Sequence, residues 1–154
     1  FKSGGQVDEG IPFFGKISAT DAAASSAPTS WEWSYSSLTT DTDDETYRGS
    51  AKSIRVDSSD NVFGLVSAGA TLVKLTSTGT KDWDTGTALS TYGQMNDLEL
   101  VSDGIVMTGH TYSMSTENCW GTGCGVIKGT ILKVDTDGAF SWVNSHGNYP
   151  GGIN

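Results

Sequence analysis

Leu132-Lys133-Val134-Asp135-Thr136-Asp137-Gly138-Ala139-Phe140-Ser141-Trp142 alternates apolar residues about a lysine, breaks at a polar turn, and resumes towards a tryptophan. That pattern is a strand, a tight turn and a second strand, because Asp-Gly tolerates the positive φ of a hairpin and β-branched or aromatic residues suit a pleated surface. The apolar-lysine-apolar segment Ile131-Leu132-Lys133-Val134-Asp135 superimposes on Leu72-Val73-Lys74-Leu75-Thr76 and on Phe14-Gly15-Lys16-Ile17-Ser18. Trp83 and Trp142 each follow their lysine by nine residues, and Trp33 follows Lys16 by seventeen. The difference is the Ala/Ser-rich insertion 21–28, a lengthened hairpin loop, where extra residues cost little.

A second pair of segments interleaves with these. Ser53-Ile54-Arg55-Val56-Asp57-Ser58-Ser59-Asp60-Asn61-Val62-Phe63 matches Asp97-Leu98-Glu99-Leu100-Val101-Ser102-Asp103-Gly104-Ile105-Val106-Met107, again strand, turn, strand. Tyr47 and Tyr92 precede the two copies, and Tyr149 precedes what reads as a third. Outer and inner hairpins therefore alternate, with tryptophans spaced by 50 and then 59 residues, the longer step carrying an insertion at 113–125. Four short strands every ~40 to 50 residues is the period of a β-propeller blade. The expected fold is all-β, with antiparallel four-stranded blades, about two and a half of them and an incomplete ring. Blade parts fall at 12–36, 47–87 and 92–145, and a further blade starts at 149–154.

Val56-Asp57-Ser58-Ser59-Asp60-Asn61-Val62 and Leu132 to Trp142 resemble the β-propeller repeats of secreted and surface proteins. There an inner valine-aspartate-small-small-glycine-asparagine-valine turn precedes an apolar-lysine-apolar strand, an aspartate-glycine turn and a tryptophan. The resemblance covers the chain apart from residues 1–11 and the two insertions. It implies architecture and carries little about activity, since one fold hosts many functions.

Composition agrees with a β protein. The 154 residues include twenty Gly and three Pro, and the one Ala-rich stretch, Ser18 to Ser26, lacks an apolar face at helical spacing and reads as a loop with at most one turn. Nine basic against eighteen acidic residues leave a net charge of −9, which argues against nucleic acid or an anionic membrane surface as partner. No apolar run approaches the ~20 residues that span a bilayer, so no membrane insertion is expected. A chain that opens on Phe1 and stops inside a repeat reads as a processed product or a section of a longer protein. Because propellers need several blades to close, the open ends are expected to meet further blades of the same polypeptide or another subunit.

Cys119 and Cys124 flank Trp120-Gly121-Thr122-Gly123, a loop short enough and rich enough in glycine to bring two sulfurs together. A disulfide is favoured over free thiols or a metal, because the two histidines, His110 and His146, have no regular spacing with the pair. The disulfide places the chain outside the cell or at its surface, by way of the secretory pathway. Asp41-Thr42-Asp43-Asp44-Glu45 offers alternating oxygens that could hold calcium, although the glycine and distal glutamate of a full calcium loop are missing and a solvated loop is the simpler reading. Asp135 and Asp137 resemble the opening of a calcium loop, but Ser77-Thr78-Gly79-Thr80 occupies the same place in the preceding repeat without a carboxylate. A hairpin turn is what the two share, and the same holds for Asp57 to Asp60.

Trp33, Trp83 and Trp142 recur once per repeat and are expected to pack between neighbouring sheets. Trp31 and Trp120 lie outside the pattern and are the candidate contact surface, Trp120 in a loop that the disulfide would stiffen. No nucleophile elbow, phosphate loop or catalytic histidine pair emerges, so no cofactor is expected, with calcium the one option. The favoured function is a non-enzymatic extracellular structural or protein-interaction module that binds protein partners or further blades. The alternatives are a section of a propeller enzyme, quinoprotein-like or sulfotransferase-like, and carbohydrate recognition through Trp31 or Trp120.

Overall fold

A computed structural model of the protein describes residues 13–17, 22–23, 31–36, 51–66, 70–86, 88–115 and 124–150. Strands β1 (Phe13–Lys16) and β2 (Trp33–Ser36) form a two-stranded antiparallel sheet. Strands β3 (Ala51–Val56), β4 (Val62–Val66), β5 (Thr71–Leu75) and β6 (Lys81–Asp84) form a four-stranded sheet in chain order. A third sheet has the same order in β7 (Gln94–Val101), β8 (Gly104–Ser115), β9 (Cys124–Val134) and β10 (Phe140–Pro150). Ala22 and Ala23 are the α-helical residues among those described, and Ser90–Tyr92 forms one 3-10 turn. The chain is thus all-β and antiparallel, and within each sheet every strand is hydrogen-bonded to its neighbour in sequence.

The lysine-tryptophan pattern is a register. Lys16 faces Trp33, Lys74 faces Trp83 and Lys133 faces Trp142, so in all three sheets both side chains stand on the same face of adjacent strands. Register shifts place Asp82 and Ser141, each just before its tryptophan, as the extra residue of a bulge that turns the strand end. Lysine also pairs with carboxylates, Lys16 with Glu32 at 3.1 Å, Lys74 with Asp82 at 2.8 Å and Lys133 with Asp103 at 2.6 Å.

Three turns share one construction. In 57–61, 76–80 and 135–139 the first residue's N–H donates to the carbonyl of the fifth at 3.0, 2.8 and 2.9 Å, and the fourth N–H donates back to the first carbonyl. The fourth residue has positive φ: Asp60 at 60°, Gly79 at 81° and Gly138 at 82°. The first side chain caps the loop. Asp135 Oδ1 accepts from the N–H groups of Asp137 and Ala139, both at 2.9 Å, Asp57 Oδ1 accepts from Ser59 and Asn61, and Thr76 Oγ1 accepts from Thr80. Burial pushes the Asp57 carboxyl upward, but together the hydrogen bonds from Asn61 and Ser59 outweigh it and hold the group below the ordinary range.

The two central strands of the middle sheet, β4 and β5, are covered on both faces, which is why β4 reads as an unbroken apolar run, Val62-Phe63-Gly64-Leu65-Val66. Val62 and Val66 join Phe14, Val73 and Leu75 against the first sheet, with Trp33 and Tyr35 at the margin. Phe63, Leu65 and Leu72 point the other way, into a core with Leu89, Met95, Leu98, Ile105, Met107, Leu132 and Val134 of the third sheet and its approach. Phe63 meets Trp83 edge to face at 6.2 Å.

Three sequence expectations change. The inner hairpins are not alike: β3 and β4 are joined by the five-residue turn, whereas Val101 pairs directly with Gly104 and leaves a two-residue turn at Ser102-Asp103. Tyr149 and Pro150, expected to open a further inner strand, continue β10 and pair with Ile127 and Val126. The insertion at 113–125 is partly strand, since β8 runs to Ser115 and β9 begins at Cys124, with those two residues paired. A longer β8–β9 hairpin offers β10 a longer edge, and the backbone takes it to satisfy its N–H and C=O groups. Residues 1–12, 37–50 and 151–154 lie outside the described residues.

Candidate functional site

The recurring tryptophans make the contacts between sheets. Trp33, at the start of β2, lies on the turn of the middle sheet so closely that a Cβ on Gly79 would sit 2.6 Å from its ring. Its Nε1 donates to the Ser77 carbonyl of that turn at 3.1 Å. Trp83, at the equivalent place in β6, lies in the same way on the turn of the third sheet, where a Cβ on Gly138 would sit 2.8 Å away. Its Nε1 is buried without a hydrogen-bond partner. The glycine serves twice here, once for its positive φ and once because a side chain would occupy the place of the indole.

Trp142 holds the third of these positions and is 44% exposed, contrary to the expectation that it packs between sheets. The physical reason is positional: the outer face of β9 and β10 has no neighbouring sheet among the described residues. Ile127 and Ile131 on β9 share this exposure. Ile131 occupies the place of Leu72 in the middle sheet and Phe14 in the first, yet it is 42% exposed where those are 0% and 5%. Phe140, also exposed, stacks on Tyr92 with ring centres 4.8 Å apart. In the middle sheet, Ile54 and Val56 on its first strand β3 are exposed although their matches Leu98 and Leu100 are covered or half-covered.

The first strands of the two larger sheets run alongside each other and are tied by charge. Arg55 Nε donates to Glu99 at 3.0 Å, its Nη2 to Asp97 at 3.2 Å, and Ser53 Oγ donates to Asp97 at 2.5 Å. The hydrogen bond to Glu99 is the main cause that raises the guanidinium above its ordinary range. Ser53, then the Leu98 N–H and Arg55, hold the Asp97 carboxyl below its range.

Among the predicted site residues, Asp135 and Asp137 lie in one turn, but Asp135 directs its Oδ1 inward to the turn's own N–H groups. No group of three or more His, Cys, Asp or Glu side chains suited to a metal occurs among the described residues. Trp31 is 50% exposed next to β2. Trp120, Asp41, Asp43 and Cys119 lie outside the described residues, and with Cys119 the disulfide. Cys124 opens β9 opposite Ser115.

One juxtaposition escapes the sequence. His110 on β8 and His146 on β10 both pair with Gly129, so they flank it in one row, about 10 Å apart by two strand spacings. Their 36-residue separation hides this because it spans two hairpins of unequal length. No known family model matches the chain, and no curated protein matches it significantly.

Proposed function

We propose that the chain is a section of an extracellular β-propeller that serves as a structural and protein-interaction scaffold, with no catalytic role. Each four-stranded sheet is then a blade, and β1 and β2 are the outer half of another. The observation that carries this reading is the repeated contact itself: Trp33 on Gly79, then Trp83 on Gly138, with the same lysine register behind each. One face of each sheet meets the opposite face of the next. A head-to-tail contact of that kind builds a ring or an extended array, whereas two sheets of a sandwich would meet through like inner faces.

The carboxylates that a catalytic reading would call on are engaged in structure. Asp57 and Asp135 cap turns, Asp97 and Glu99 hold Arg55, and Asp82 and Asp103 hold lysines. Electron microscopy of the assembly that carries this chain tests the architecture: radial four-stranded sheets about an axis are expected, and sheets packed face to face as a sandwich would overturn it. Absorbance and elemental analysis of the same material test the scaffold role. A bound quinone or metal that turns over with a substrate would replace the scaffold with the enzyme reading.

A further inference from the structure

We propose that the outer face of the third sheet, centred on Trp142, is a docking face for another sheet of this same repeat, received through a hairpin whose turn reads Asp-x-x-Gly or Thr-x-x-Gly. The inference rests on the propeller reading and names the partner of its open face. Two internal junctions supply the rule. In each, the tryptophan opposite the repeat lysine covers the fourth residue of a five-residue turn, and that residue is a glycine at φ 81° or 82°. The apolar residue two before the lysine, Phe14 or Leu72, is buried under the same neighbour.

The third sheet presents both elements, Trp142 opposite Lys133 and Ile131 two before it, at 44% and 42% exposure. A flat indole flanked by a branched aliphatic side chain complements a turn that has no Cβ at its crest. Any other residue there would hold the turn off the ring, as the 2.6 and 2.8 Å approaches at Gly79 and Gly138 show. A second copy of this chain is a poor occupant, because Gly79 and Gly138, its two glycine-crested turns of this form among the described residues, already lie under Trp33 and Trp83. The occupant is therefore a sheet whose turn glycine is still uncovered.

The test extends the full chain with an appended copy of residues 92–154 after Asn154 and labels it with fluorotryptophan. Resonances are assigned by single Trp→Phe substitutions, and accessibility is read as relaxation by a soluble paramagnetic agent. In the unextended chain Trp142 is expected to relax several-fold faster than Trp83. In the extended chain it is expected to slow to the Trp83 level, and to regain its accessibility when the glycine matching Gly138 in the appended copy is replaced by valine or alanine. A Gly/Ser tail of equal length sets the baseline.

Trp142 equally accessible with the copy and with the tail would overturn the inference, as would protection that ignores the glycine substitution. Protection that grows with concentration in the unextended chain would overturn it too, in favour of a second copy as occupant. If Trp83 in the unextended chain were as accessible as Trp142, the side-by-side packing of sheets would itself fail, and the propeller reading with it.

Discussion

At Gly79 and Gly138 a missing side chain is the contact. Each substitution to alanine adds the strain of an L-residue at positive φ, roughly 1–2 kcal/mol, and displaces an indole as well. Gly86 has positive φ but no neighbour closer than 3.8 Å to a built Cβ. Gly138→Ala is therefore expected to lower the urea midpoint clearly more than Gly86→Ala, and equal shifts would show that the tryptophan contact contributes nothing. Asp60 holds the matching position of the inner turn with φ 60° and is exposed. Asp60→Gly is expected to stabilise the chain by up to about 1 kcal/mol, read from the same midpoint. At Cys119 and Cys124, alkylation without reduction is expected to leave the intact mass unchanged, and two adducts would remove the argument for an oxidising compartment.

At the scale of the hairpins, carboxylates organise turns and strand neighbours, and this sets a pH dependence. Asp57, Asp97 and Asp103 all titrate below their ordinary values in the folded chain, Asp97 chiefly through Ser53 and Asp103 chiefly through Lys133. A lowered folded pKa means that the unfolded chain takes up protons first. The stability these groups contribute is complete above the unfolded value near ~4 and is lost as pH falls through the lower folded values. Urea midpoints are expected to hold steady from about pH 5 to 7 and to drop below about pH 4. Asp97→Asn, which cannot hold Arg55 by charge, should flatten part of that drop. The turn caps also bear on calcium: if Asp135 only caps, adding calcium leaves the midpoint unchanged, and Asp135→Ala costs about 1 kcal/mol with or without the ion.

Across the whole molecule, the same residue type at the same register has two different surroundings. Trp33 and Trp83 lie under a neighbouring sheet and Trp142 does not. Trp83→Ala is expected to cost about 3 kcal/mol, in the range of large-to-small core substitutions, and Trp142→Ala well under about 1 kcal/mol in the isolated chain. Comparable losses at both would mean that Trp142 is covered in solution.

Much of this was legible in the sequence because hairpins are local. The period-two alternation, the turn residues and the lysine-to-tryptophan spacing depend on backbone sterics within some twenty residues, and they specified the all-β antiparallel sheets and their repeating register. What crosses between sheets was not legible. That Gly138 receives Trp83, that Arg55 reaches Asp97 and Glu99, and that His110 and His146 flank Gly129 follow from how whole sheets stack and how long each hairpin runs. The exposure of Trp142 belongs to the same class, since burial of a residue depends on the sheet beside it, and its own strand carries the same pattern whether or not that neighbour is there.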